Sequence, residues 1–294
     1  MSRIIRAAVL QMNSGEDVGA NLRKALGLVR EAALRGAELL VLPEKFHYLG
    51  RRPGVATAKQ SLDGPVLGAM GEAARENGVY VVAGSIWEAV PGEERTYNTT
   101  VLFGPDGRML AGYRKIHMFD VDVGGHAYRE SDDCRPGDEV VAVRVSGLPR
   151  GTAEEGAAGG DLVLGLTVCY DIRFPDLYAG LAELGARVVT VPAAFTLSTG
   201  KDHWEVLLRA RAIENQVFMV AANQFGRHEP GLESYGRSMI VDPWGIVLAQ
   251  VGHGEGVALA DLDLDRLEKV RGSLPSLANR APAAYGRRRL IEPG

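Results

Sequence analysis

The sequence predicts an α/β protein in which two layered halves pack together, helices outside and two sheets inside. Three observations carry this expectation. Apolar, β-branched runs alternate with segments of helical period. Several of those runs are continuous rather than alternating, as in strands buried on both faces. The first half of the chain is also echoed in the second. With 294 residues, 46% of them hydrophobic and 24% charged, the chain can bury a large core, and it reads as one domain over 1–294.

Ile4–Gln11 is the first strand, aliphatic and β-branched. Over residues 21–35, Leu22, Ala25, Leu26, Val29, Ala32 and Ala33 keep a helical period, and Gly36 caps the end. Residues 39–42 form a continuous apolar strand that stops at Pro43-Glu44. Residues 162–168 form another, running into Cys169, and Pro175 opens a helix where its missing N–H is no loss. Cys169 thus falls between a strand end and a helix start, where a helix dipole favours a thiolate. A lone cysteine in an apolar setting is otherwise core packing.

The echo is residue by residue. Residues 36–43 match 185–192 at an offset of 149, 77–85 match 215–223 at 138, and 104–111 match 242–249 at 138. Each half runs strand, helix, strand, helix, strand, then a hairpin about a P-x-G turn. Equivalent strand ends should therefore meet: Pro43-Glu44 in one half, Pro192-Ala193 in the other, with Cys169 beside the second. Residues 147–161, rich in Gly, Ala and Glu, read as a surface loop before the cysteine strand.

A net charge of −4 gives no footprint for nucleic acid or an anionic membrane. No apolar run nears the roughly 20 residues of a membrane span, and the N-terminal run is broken by Arg6, too early for a signal peptide. Two cysteines, Cys134 and Cys169, make no disulfide framework, so a reducing cytoplasm is expected. The six histidines are scattered, without metal-ligand spacing, so no metal is expected.

Four residues stand out as chemistry. Glu44, ending an apolar strand, is either a surface carboxylate or a general base at a pocket mouth. Lys115, in Tyr113-Arg114-Lys115-Ile116-His117, is either solvated or an ammonium that holds an oxyanion and eases thiol ionisation. Glu130 is a loop glutamate or the acid that orients that lysine. Cys169 is the nucleophile or a core residue. Spacing alone cannot bring them together.

Taken together, Pro43-Glu44, the run from Tyr113 to His117, and Cys169-Tyr170-Asp171-Ile172-Arg173-Phe174-Pro175 resemble the carbon–nitrogen hydrolase (nitrilase) superfamily. The likeness runs from the first strand to about Tyr285. It implies an α-β-β-α four-layer sandwich of two similar halves, which accounts for the internal echo. Tyr170 after the cysteine, the stretch from His203 to Glu214 and that from Ser234 to Gly245 resemble the branch that holds deaminated glutathione amidase and ω-amidase. The loop at 147–161 is longer than that pattern, and residues 280–285 follow the family's ending only in part.

The resemblance implies a hydrolase that cleaves a terminal carboxamide on a small carboxylate-bearing substrate through a cysteine thioester, releasing ammonia. Glu44, Lys115 and Cys169 would be the triad and Glu130 an accessory acid, with no cofactor and no metal. Tyr170, Phe195 and Thr196 would line the substrate site. Arg173 would either pair with a substrate carboxylate or form an ion pair with Asp171 or Asp176. Trp204 and Tyr235 are expected in the core. Hydrolysis of an N-carbamoyl amino acid, or an idle binding protein on the same fold, are the alternatives. A homodimer or larger homo-oligomer is implied, with residues 272–294 at a subunit contact.

Overall fold

A computed structural model describes residues 3–123, 125–148 and 162–291. The first half contains β1 (Ile4–Gln11), α1 (Val18–Leu34), β2 (Leu39–Val41), α2 (Arg52–Ala58), α3 (Pro65–Asn77), β3 (Tyr80–Val82), β4 (Ile86–Glu88), β5 (Tyr97–Phe103) and β6 (Met109–Arg114). A small hairpin follows, β7 (Asp120–Val123) and β8 (His126–Arg129). The second half contains β9 (Ala142–Val145), β10 (Leu162–Leu166), α4 (Pro175–Glu183), β11 (Val188–Ala193), α5 (Leu197–Asn215), β12 (Phe218–Asn223), the hairpin β13 (Phe225–His228) and β14 (Leu232–Tyr235), β15 (Met239–Val241) and β16 (Val247–Gln250). β17 (Gly256–Asp263), α6 (Leu264–Ser273) and α7 (Pro282–Tyr285) close the chain.

One sheet runs β17-β1-β2-β3-β5-β4, with β6 paired to β5; the other runs β16-β15-β12-β11-β10-β9. The parallel centres, β1-β2-β3 and β10-β11-β12, are equivalent, and each is flanked by an antiparallel strand, β17 or β9. Side-chain alternation makes the layers. Ile5, Ala7, Val9, Leu39, Val41 and Val82 pack in one cluster with the second sheet, α4 and α5. Ala8, Leu10, Leu40, Leu42 and Val81 face the other way, into a cluster with α1 and α3. The order is helices, sheet, sheet, helices.

The repeat extends to backbone conformation. Gly36 (φ 83°) and Gly185 (φ 88°) end equivalent helices, Gly78 (φ 60°) and Gln216 (φ 48°) end the next pair, and Gly107 (φ 81°) and Gly245 (φ 85°) turn equivalent hairpins. Each left-handed residue stands at a matched position, so both halves solve the same turns the same way.

Two expectations need correction. The first helix begins at Val18, three residues before the predicted start, because Asp17 caps it by accepting the Ala20 N–H. The cysteine strand ends at Leu166, two residues early, and Cys169–Arg173 form a 3₁₀ turn ahead of α4. Of the predicted loop, residues 149–161 lie outside the described residues. Among the described residues no helix is long and apolar enough to cross a membrane.

Candidate active site

Glu44 follows β2, and its backbone is held where a side chain on a neighbour would not fit. Gly84 (φ 47°) lies so close that a Cβ there would stand 2.0 Å from the Pro43 carbonyl oxygen. The Glu44 carboxylate is buried and reaches across the two sheets. Oε2 accepts from the Ala194 N–H at 2.8 Å, and Oε1 accepts from Asn98 Nδ2 at 2.7 Å and Lys115 Nζ at 3.1 Å. The predicted meeting of equivalent strand ends is therefore a hydrogen bond, since Ala194 directly follows β11.

Lys115 follows β6, and its backbone N–H bonds to the Asn98 carbonyl at 2.9 Å. Its side chain is 1% exposed, so it is not the solvated lysine its sequence neighbours suggest. Nζ also donates to Glu130 Oε2 at 2.6 Å. Burial works against this ammonium, but Glu130, Glu44 and Cys169 hold it well above the ordinary lysine value. Glu130, at the start of a 3₁₀ turn, accepts at both oxygens. Lys115 and the Phe119 N–H (2.9 Å) meet Oε2, while Asn98 (3.0 Å) and Lys45 (3.3 Å) meet Oε1. Burial would raise its carboxyl, yet Lys115 and Lys45 outweigh that and hold it well below the carboxylate range.

Cys169 stands at the head of its 3₁₀ turn with φ 50°, a left-handed conformation that costs a residue with a Cβ about 1–2 kcal/mol. Asp171 ties this turn down. Its Oδ2 accepts the Val168 N–H at 2.9 Å and the Tyr113 hydroxyl at 2.7 Å, while its Oδ1 accepts the His117 backbone N–H at 3.2 Å. The His117 ring lies 2.7 Å from the same oxygen and stacks on Phe174 at 3.6 Å. The turn bearing Cys169 and the segment bearing Lys115 are thus bolted to one carboxylate.

Lys115 eases ionisation of the Cys169 thiol, as expected, but it is outweighed. Burial, then the Glu44 charge, push the Cys169 thiol well above its usual value, and Lys115 only partly opposes them.

A cavity of about 250 Å³ opens onto this group. Cys169, Glu44 and Lys115 lie at its wall with Tyr170, Phe195 and Thr196. Phe195 is fixed by its N–H to Asn223 Oδ1 at 2.8 Å, and Thr196 caps α5. Arg173 is not on this wall. Its guanidinium lies 5.0 Å from the Phe195 ring centroid and bonds His203 at 3.3 Å, and neither Asp171 nor Asp176 pairs with it among the described residues. Trp204 is fully buried against Phe195, and Tyr235 is partly buried beside the same core. Among the described residues, no three His, Cys, Asp or Glu side chains gather as a metal site requires.

Asn98 and Lys45 are site residues that sequence reasoning missed. Asn98 lies in the polar start of β5, next to Thr99 and Thr100, and nothing in the sequence sets it apart from them. Lys45 had no signal beyond following Glu44.

The model of the family described as carbon–nitrogen hydrolase matches residues 6–272. A deaminated glutathione amidase of Synechocystis is 41% identical over 283 residues, covering 93% of this chain and 97% of its own. Omega-amidase NIT2 of Bos taurus is 35% identical over 291 residues, covering 95% and 96%. The crystal structure of the C. elegans NitFhit protein superposes with a TM-score of 0.85 at 34% identity, covering 97% of this chain and 66% of that one.

Proposed function

The chain belongs to the carbon–nitrogen hydrolase family, and from that premise we propose that it hydrolyses the terminal carboxamide of a small carboxylate-bearing acid by the following steps. Glu44 takes the Cys169 proton as the sulfur attacks the amide carbon, and the carbonyl electron pair becomes an oxyanion facing Lys115 and the Tyr170 N–H. The C–N bond breaks as Glu44 returns the proton to nitrogen, releasing ammonia and leaving a thioester. Water, deprotonated by Glu44, attacks the thioester; the acid leaves, and the proton returns to sulfur. Glu130 stays ionised throughout and orients Lys115.

The observation that carries this reading is a buried cysteine, its thiol pushed well above the usual value by burial and by Glu44, set beside a carboxylate whose two oxygens are fixed by Lys115, Asn98 and Ala194. A nucleophile whose ionisation is disfavoured by its surroundings needs an adjacent base, and Glu44 is that base. Arg52 and Arg129 on the cavity wall support a substrate with a charged tail. The amidase relatives support deaminated glutathione first and the ω-amide of a keto acid second. We place the enzyme in the cytoplasm as a homo-oligomer, with the exposed Leu274, Tyr285, Leu290 and Ile291 at a subunit contact.

The test is ammonia release from deaminated glutathione, α-ketoglutaramate and an N-carbamoyl amino acid, with Cys169→Ala as control. Turnover of deaminated glutathione, lost in the variant, is expected. Turnover of the carbamoyl compound alone would move the enzyme to another branch. Silence on all three from folded protein with an unreactive Cys169 would overturn the mechanism in favour of a binding protein.

A further inference from the structure

The mechanism above leaves the charge of Lys45 unused. Lys45 follows Glu44 in a left-handed conformation (φ 53°), which a residue with a Cβ rarely adopts. Its Nζ lies 3.3 Å from Glu130 Oε1 and 4.0 Å from the centroid of the Trp87 ring. The side chain is 14% exposed and lies on the cavity wall. The charged groups acting on it are Glu130, Glu44 and Lys115, with the Cys134 thiol also near. Asp133 and Arg52 share the cavity wall.

Four charges form the cluster around Glu130, namely Glu44 and Glu130, Lys115 and Lys45, while the buried Asp171 carboxylate is taken up by Val168, Tyr113 and His117. The four sum to zero, and the first step keeps that sum. The thiol proton moves to Glu44, the sulfur–carbon bond forms, and the negative charge passes from Glu44 to the substrate oxygen. Lys115 serves two carboxylates at once, at 3.1 and 2.6 Å. Resting on the mechanism proposed above, we infer that Lys45 is a positioning residue that neutralises Glu130 at its other oxygen, so that the Lys115 charge is free to answer the oxyanion. Without Lys45 the site carries a net negative charge before and after attack, and every new anion in it is disfavoured. Trp87 supplies a cation-binding face that holds the ammonium without adding a charge.

The experiment compares Lys45→Met and Lys45→Arg with the wild type. It reads kcat, KM, the pH profile of kcat/KM, and the pH dependence of Cys169 alkylation by iodoacetamide, mapped by mass spectrometry. Lys45→Met is expected to lower kcat by about 10- to 100-fold, the range for losing a group one step behind the reacting one. KM should change little. Both pH profiles should move to higher pH, because removing a positive neighbour makes each proton harder to lose. Lys45→Arg keeps the charge and stacks on Trp87, and should restore most of the rate and the profile. Two equally slow variants with unmoved profiles would make Lys45 a packing residue and overturn the inference. A raised KM with kcat intact would overturn it in favour of substrate binding. Alkylation needs no substrate, so an unmoved alkylation profile in Lys45→Met sinks this inference. Loss of all amide turnover in the wild type would instead sink the functional reading.

Discussion

Glu130 meets a donor at each of four approaches, two of them ammonium groups. A carboxylate so saturated has no lone pair to spare for proton transfer, so in the proposed mechanism it aims Lys115. Glu130→Gln places an amide N–H₂ against donors that need an acceptor. The expected result is a fall in kcat of about 10²- to 10³-fold, comparable to losing one oxyanion donor, with the folded state retained. Steady-state kinetics beside a thermal melt checks it; an unchanged kcat would remove Glu130 from the mechanism. Backbone strain also gathers here, since Lys45 and Cys169 both hold positive φ within one site, as functional positions often do. Glu44, Lys115 and Cys169 were legible as candidates because each carries a local motif. Lys45 and Asn98 were not, because their importance comes from partners 32 to 85 residues away.

Among elements, the 3₁₀ turn at Cys169–Arg173 does the positioning that a helix start was expected to do. It has too few turns for a useful dipole, so it aims the sulfur without stabilising a thiolate. Asp171 is its anchor and joins it to the segment after β6. Asp171→Ala strands the Val168 N–H and the buried Tyr113 hydroxyl. A loss of about 2–4 kcal/mol of stability is expected from breaking such a network, with kcat falling more than KM. Urea unfolding and kinetics test this, and a variant as stable as wild type would show that the anchor is dispensable. Strand and helix positions were readable from period and caps. The 3₁₀ turn was not, because Val168 and Cys169 continue the apolar run while Asp171, a tertiary anchor, bends the backbone away from the sheet.

For the whole molecule, the two halves meet at Glu44 and Ala194, so the fold and the proposed chemistry share one contact. The buried interior also carries a pH liability. His47 is fully buried, and its ring nitrogens make no hydrogen bond of ordinary geometry, although the Ala58 and Ser85 backbone lies near. Burial pushes it down from 6.5 to about 4. The unfolded chain therefore binds this proton between those values while the folded chain does not. Stability is lost as pH falls through that window, by about 3 kcal/mol from this group at ~1.4 kcal/mol per unit. Glu130 adds to the same trend, because its carboxyl is depressed in the fold and its contribution is lost as pH falls below the ordinary carboxylate value. Denaturation midpoints from pH 7 to 4 should fall more steeply for the wild type than for His47→Gln. Parallel curves would exclude His47 as the cause.

The sequence by itself determined the layered α/β class, the two matched halves, and the family, and it singled out Glu44, Lys115 and Cys169 as the candidate triad. These depend on local period, glycine placement and short motifs, all of which are written along the chain. Only the tertiary structure decided that Lys115 is buried, that the Arg173 guanidinium lies over the Phe195 ring without itself lining the cavity, and that burial and Glu44 push the Cys169 thiol well above its usual value. Each of those depends on burial and on charges brought from distant segments, and the energy of a charge is set by its surroundings in space rather than by its neighbours in sequence.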